Sequence, residues 1–469
     1  METYEQSTID LDSAQELALD HMLAGSNVFL TGKAGTGKTA VINELKRRCR
    51  RKLVLLAPTG MAAINIGGET IHHFLRIPVD GPYLNSVVAD MDDAEMRAKL
   101  NAVDAILIDE VSMVNAYLLQ ELDRCFRSAA SGKLMDAPFG GKQIIVCGDF
   151  FQLSPVVPSA NVRKWMEELF GGVYAFMATA WGDAGFQAVE LDQVHRQSDK
   201  EEIEILDALR IGKLVREFDM PISHNWLKED LTVESCVDYL HRLNEICHRP
   251  GEPLPPGAVT LCARRNDASD INNERMRGVK GKDVLFRGSC GTGYPRWSYP
   301  TAIDMSMRIG ARVVVLANSH DKGYVNGDMG TLLAANGSKA TVFLDKGFEV
   351  TLDTFKWTHH TYEAMFDEDG KSCVVQIPVC HFFQTPLAPA YAMTIHKAQG
   401  MTLDAANIAL GGGNCFSTGQ LYTGVSRTRS LRNLSIDRPL REEDCIVDQK
   451  VVDFYNRTFP HKTIRPDED

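Results

Sequence analysis

Residues 27–45 read NVFLTGKAGTGKTAVINEL: an apolar run enters Gly32, four residues intervene, and Gly37-Lys38-Thr39 opens a helical pattern. A strand before and a helix after are the context that this glycine spacing needs to form a phosphate-binding loop. Glycines let backbone N–H groups close around phosphates, and the helix N-terminus adds partial positive charge. The expected nucleotide-binding residues are Gly32, Gly35, Thr36, Gly37, Lys38 and Thr39, with Lys38 reaching the terminal phosphates and Thr39 ligating Mg²⁺.

Outward from this loop, residues 27–150 alternate short apolar runs (NVFL, LVLLA, AILI, QIIVC) with helical stretches. Such runs imply a parallel sheet covered on both faces. A second set begins near AVEL at 188–191, resumes with VTLCA at 259–263 and ends with ANIAL at 406–410, the pattern of a second α/β domain with an insertion. Between about 300 and 380, short alternating segments punctuated by NGDMG, DKG and NGS turns predict a small β-barrel-like insertion. An irregular stretch at about 71–100 predicts a compact helical insertion in the first domain. The expected division is 1–185 for the first domain, 186–300 with 376–445 for the second, 301–375 for the β insertion and 446–469 for a C-terminal tail. No internal repeat is visible.

AILIDE places Asp109 and Glu110 at the end of an apolar strand. Such a pair is usually a solvated loop start. After a phosphate loop, Asp109 suits the magnesium shell and Glu110 the orientation or deprotonation of the attacking water. QIIVCGDFFQLSPV carries Gln152 just beyond another strand, where an amide can sense a γ-phosphate; alone it would be a capped strand-to-turn junction. Arg196 in LDQVHRQ and Arg427 in LYTGVSRTRS are candidates for stabilising transition-state charge, although an isolated arginine is usually a surface charge.

At 469 residues the chain should fold as two to four domains, and 44% hydrophobic with 24% charged residues is a globular composition. The net charge of −12 argues against a histone-like polycation, so any nucleic-acid contact needs a locally basic or neutral groove. The basic run Lys46, Arg47, Arg48, Arg50, Arg51 and Lys52 is either that groove or a solvated helix end favoured by the macrodipole. Eleven scattered cysteines without CxxC spacing give neither a disulfide framework nor a zinc site. An acidic, polar N-terminus and the lack of a long apolar run predict a protein neither secreted nor membrane-spanning, and a compact length with no transit peptide points to a bacterial or phage cytoplasm.

In order, FLTGKAGTGKT, LAPTGMAAINIGGETIHHFL, ILIDEVSMV, FGGKQIIVCGDFFQLSPV, LDQVHRQ, AYAMTIHKAQGMTLD and LYTGVSRTRS resemble the motifs of the PIF (petite integration frequency) helicases, a RecD-like branch of superfamily 1. The likeness runs from about residue 10 to 430 and thins over 200–375. It implies an α/β fold of two RecA-like P-loop domains, with a small wedge in the first and an SH3-like barrel in the second. It also implies ATP and Mg²⁺ as cofactors, Gln15 on the adenine, Gly400 at the nucleotide, and Gln152, Arg196 and Arg427 at the γ-phosphate. The implied catalytic set is Lys38, Glu110, Gln152, Arg196 and Arg427, with metal held at Thr39 and Asp109. Thr59, Thr70, His72, Thr394 and His396 are the implied DNA contacts, and single-stranded, tailed or forked DNA the implied partner of a monomer moving 5′→3′. Hydroxyls and imidazoles bind phosphodiesters without reading sequence. Ser154, His195 and Ala398 depart from the family pattern, and the family's long terminal extensions are not expected. Two other activities fit the same motifs: a translocase that displaces bound proteins without efficient unwinding, and a nucleotide-gated binding module.

Overall fold

A computed structural model describes residues 10–77, 93–157, 159–197, 199–212, 236–248, 252–254, 257–292, 294, 299–319, 321–366, 372–411 and 413–460. The chain divides into two compact units: Met1–Phe150 with Ser154–Ser198 and Thr361–Ile377, and Phe151–Leu153 with Asp199–His360 and Pro378–Asp469.

The first unit is built on a sheet of β1 (Val28–Gly32), β2 (Leu53–Ala57), β3 (Glu69–Thr70), β4 (Ala105–Ile108), β5 (Gln143–Cys147) and β6 (Gln187–Leu191), in the order β3-β2-β4-β5-β1-β6. Every pairing is parallel. Each residue of β1, β4 and β5 is buried, as continuous apolar runs require when helices cover both faces. Helices α1 (Ser13–Ala24), α2 (Lys38–Arg48), α3 (Gly60–Ile66), α4 (Ile71–Phe74), α5 (Ala94–Asn101) and α6 (Ala116–Ala129) belong to this unit. Leu19 of α1, Val41 and Leu45 of α2, and Leu30, Leu107 and Ile145 of the sheet share one core.

One strand falls differently from the expectation. AVEL should open the second domain, but β6 pairs with β1 from Val28↔Gln187 to Gly32↔Leu191 and completes the first sheet. A short buried strand looks alike in either parallel sheet, and only its pairing assigns it. The expected wedge at 71–100 begins with α4 and ends in α5, while its middle, 78–92, lies outside the described residues.

In the second unit β7 (Val259–Cys262) leads into β-rich chain: β8 (Asp283–Arg287), β9 (Ser289–Cys290), β10 (Asp304–Arg308), β11 (Arg312–Val315), β12 (Met329–Ala335), β13 (Ala340–Leu344), β14 (Glu349–Leu352), β15 (Phe355–Phe366) and β16 (Ser372–Gln384), of which 361–366 and 372–377 belong to the first unit, and β17 (Leu387–Pro389). Strands β14-β13-β12-β11-β17 form an antiparallel sheet whose turns are the NGDMG, NGS and DKG sequences. Its core includes Phe286, Met307, Val313, Leu332 and Leu387, so the β body reaches past both ends of the expected 301–375 span. The chain then returns as β18 (Ala392–Thr394), β19 (Ala406–Ala409) and β20 (Leu434–Ile436), giving a parallel sheet β18-β7-β19-β20 interrupted in sequence by the β body. The expected tail contains a helix, Gln449–Thr458, that buries Val451, Val452, Phe454 and Tyr455.

Candidate nucleotide site and nucleic-acid track

Ligands in open parallel sheets bind beyond the carboxyl ends of the strands. Because β4, β5 and β1 are neighbours, the loops after them, which carry Asp109-Glu110, Gly148-Asp149 and the phosphate loop, lie side by side.

Gly37 is the N-cap of α2 in a left-handed conformation (φ 81°), and no side chain caps the helix. The first N–H groups of α2 are therefore left for an anion. Lys38 Nζ donates to the carbonyls of Gly32 (2.6 Å) and Lys33 (3.0 Å), which holds its ammonium on the loop. Thr36 is fully buried and its hydroxyl donates to the Lys33 carbonyl.

Gln15 is 3% exposed and works at both ends of its amide: Oε1 accepts from Asp12 N (3.0 Å) and Nε2 donates to the Thr36 carbonyl (3.1 Å). The residue expected at the adenine thus also ties α1 to the phosphate loop. The LDQVHRQ segment packs on the same loop. His195 N donates to the Gly35 carbonyl (2.9 Å), and a side chain at Gly35 would begin 2.5 Å from Arg196 Cβ. His195 Nε2 lies 3.3 Å from Asp12 Oδ2, closing a ring of Asp12, Gln15, the phosphate loop and His195. Nothing in the sequence signals that pairing, since Asp12 reads simply as a helix cap.

Burial, followed by the charge of Glu110, pushes Asp109 up to about 7. The Glu110 backbone N–H and the Cys147 thiol donate to its carboxylate. Cys147 is the member of this cluster that the sequence did not single out; burial first, then Asp109, pushes its thiol well above the usual range. Glu110 holds φ 52° and ψ 45°, a left-handed conformation that costs a non-glycine residue on the order of 1 kcal/mol and often marks functional turns. A threonine hydroxyl and one carboxylate are hard oxygen donors. They suit Mg²⁺ held mainly through substrate phosphates and water, and among the described residues no group of three His, Cys, Asp or Glu side chains forms a metal cage.

Because the folded-state value of Asp109 lies above the unfolded value of 3.8, its ionisation disfavours the fold as pH rises between 3.8 and about 7. In magnesium-free buffer, Asp109→Asn is expected to raise the melting temperature at about pH 8 and to lose that advantage near pH 4. Thermal denaturation at both pH values checks this, and an equal effect at the two would refute it.

In the second unit Arg427 is 2% exposed, with Nε donating to the Thr423 carbonyl (2.7 Å), Nη2 to Ser426 Oγ (2.8 Å) and Nη1 to the Met401 carbonyl (3.4 Å). The last bond brings Arg427 beside the turn of Gly400, which has φ 78°. Gln152 is 6% exposed and belongs to this unit.

The proposed DNA contacts share one local design. Thr59, Thr70 and Thr394 are each an N-cap whose hydroxyl accepts, at 3.3 Å, the backbone N–H three residues on: Ala62, His73 and Lys397. Thr59 lies just beyond β2 and Thr70 ends β3, further along the sheet edge that carries the phosphate loop. Thr70-Ile71-His72 and Thr394-Ile395-His396 are near copies, with cap angles of φ −79°, ψ 148° and φ −77°, ψ 150° and a fully buried isoleucine in each. This is a local repeat on the scale of one turn. Burial lowers the pKa of both His72 and His396, with Arg265 adding to the effect at His396, so both rings are held toward the neutral form. Thr394→Ala is expected to cost about 1 kcal/mol of stability through the lost cap, and Thr394→Ser much less; chemical denaturation of the two variants measures the difference.

Four cations of the basic run are bonded within the first unit. Lys46 Nζ donates to the Ile66 carbonyl, Arg47 and Arg48 pair with Glu44, and Arg51 donates to the Leu23 carbonyl. In the PFGG segment before β5, Phe139 is fully buried and its N–H donates to Asp123 Oδ1 (2.7 Å), anchoring the entry to the strand.

The profile of the PIF1-like helicases matches residues 5–214. The ATP-dependent DNA helicase Pif1 of Bdellovibrio bacteriovorus is 31% identical over 460 residues, covering 96% of this chain and 92% of that protein. Pif1 from Bacteroides sp in complex with ADP-AlF4 superposes with a TM-score of 0.80 at 29% identity, covering 96% of this chain and 97% of that one. Bacteroides Pif1 bound to single-stranded DNA superposes with a TM-score of 0.65 at 28% identity, covering 98% and 100%.

Proposed function

This chain belongs to the PIF1-like helicase family and is an ATP-dependent DNA helicase, and from that premise we propose that it moves 5′→3′ on single-stranded DNA and opens tailed or forked duplex ahead of it. The observation that carries the reading is one sheet edge bearing an uncapped phosphate loop after β1, an acidic pair after β4 and two threonine-capped turns beyond them.

In this reading the N-terminus of α2 and Lys38 bind the β- and γ-phosphates. Thr39 and Asp109 hold Mg²⁺, which neutralises phosphate charge when bound. Glu110 orients the attacking water and accepts its proton. Gln152, Arg196 and Arg427 respond to the γ-phosphate, and Gln15 reads the adenine. Thr59, Thr70, His72, Thr394 and His396 grip the DNA backbone. Contacts that exist only with the γ-phosphate in place bias the two units between states, so each hydrolysis advances the protein. The two units are RecA-like, the β body SH3-like, and 71–100 the strand-splitting wedge. The enzyme works as a monomer in the cytoplasm; among the described residues no helix is long and apolar enough to cross a membrane.

The test compares ATP hydrolysis with and without single-stranded DNA for the natural protein and Lys38→Ala. DNA stimulation that Lys38→Ala abolishes supports the motor, whereas hydrolysis indifferent to DNA overturns it. Preferential unwinding of partial duplexes bearing only a 3′ tail would reverse the polarity.

A further inference from the structure

The helix Gln449–Thr458 and the end of helix Lys200–Arg210 lie outside every motif used above, yet they meet at Phe151, the residue beside Gln152. Arg210 is 3% exposed, and its guanidinium carbon lies 4.5 Å from the centre of the Phe151 ring and 5.5 Å from that of Tyr455. Phe151 and Tyr455 meet edge to face at 5.5 Å, and Phe459 extends the cluster from Tyr455. On the backbone side, Gly419, just before the helix Gln420–Val425 that leads to Arg427, leaves no room for a Cβ against the carbonyl groups of Phe151 and Gln152. The Gly419 N–H in turn donates to the Ile446 carbonyl (3.0 Å).

We propose that Arg210 and Tyr455 are positioning residues for Gln152, clamping Phe151 so that the amide is carried on the same body as Arg427. A cation desolvated between aromatic rings is held more tightly than at a surface and resists sliding, because the ring faces attract it in one place. A buried arginine fixed in this way gives the short Phe151–Leu153 segment a rigid seat. Phe150, one residue earlier, packs with Phe29 and Trp181 of the first unit. The sensor segment therefore begins where the chain passes from one unit to the other. Clamping Phe151 makes Gln152 follow Arg427 instead of the strand that precedes it.

This inference rests on Gln152 acting as a γ-phosphate sensor, and the experiment separates the two. DNA-stimulated kcat and the KM for ATP are measured for Arg210→Met, Arg210→Lys, Gln152→Ala and the double variant Arg210→Met/Gln152→Ala, each checked by melting temperature to be folded at the assay temperature. Arg210→Met is expected to lower kcat on the order of tenfold with little change in KM, and Arg210→Lys, which keeps a cation over the ring, to recover part of the loss. In the Gln152→Ala background, Arg210→Met should change kcat by less than about twofold, because it acts through the missing amide. Full additivity with Gln152→Ala, or an Arg210→Met enzyme as active as the natural one, overturns the positioning role. A fully active Gln152→Ala enzyme overturns the sensor reading itself. Should Arg210→Met not fold, Tyr455→Leu carries the same comparison.

Discussion

Glu110→Gln is expected to lower DNA-stimulated ATP turnover by on the order of a thousandfold while ATP still binds. Glutamine keeps the size of the side chain but cannot accept a proton from water. The left-handed backbone at residue 110 burdens both residues alike, so the fold should survive. Removing the neighbouring charge also relieves part of what holds Asp109 up, so its carboxylate ionises more readily in the variant. Steady-state hydrolysis and nucleotide binding, measured on the same preparation, decide the matter. A variant within about tenfold of the natural rate would remove Glu110 from the chemistry.

The second large effect is at Arg427, where Arg427→Lys should cost on the order of a thousandfold in kcat, the loss expected when an arginine that meets a transferring phosphoryl group is replaced. Lysine offers a point charge on a flexible stem. The guanidinium is pre-set by bonds to Thr423, Ser426 and Met401 that an ammonium cannot reproduce together. Those bonds also carry structure, so the melting temperature must be compared alongside. Loss of turnover in a folded variant assigns the charge to the transition state, and turnover close to normal would leave Arg427 as a buried strut.

The candidate site was legible where local chemistry dictates it. Gly37-Lys38-Thr39 after a strand, and Asp109-Glu110 at the end of another, need particular residue types at fixed spacing, and the structure sets them at the ends of β1 and β4, on either side of β5. The contacts that hold them there were not legible. His195 meets Asp12 across 183 residues of chain, and Cys147 reaches Asp109 from a neighbouring strand. A histidine in a loop and a cysteine in an apolar run carry no sign of their partners.

The sequence by itself determined the phosphate loop, the alternation that makes parallel sheets, the β body with its glycine turns and the order of the motifs, because each depends on backbone conformation and burial within a few residues. Tertiary structure decided that β6 closes the first sheet, that the β body extends from Phe286 to Leu387, that Gln449–Thr458 folds back on Phe151, and that two threonine-capped turns match in conformation. These are choices among partners far apart in sequence. Such partners are selected by which buried surfaces fit, and no local pattern encodes that fit.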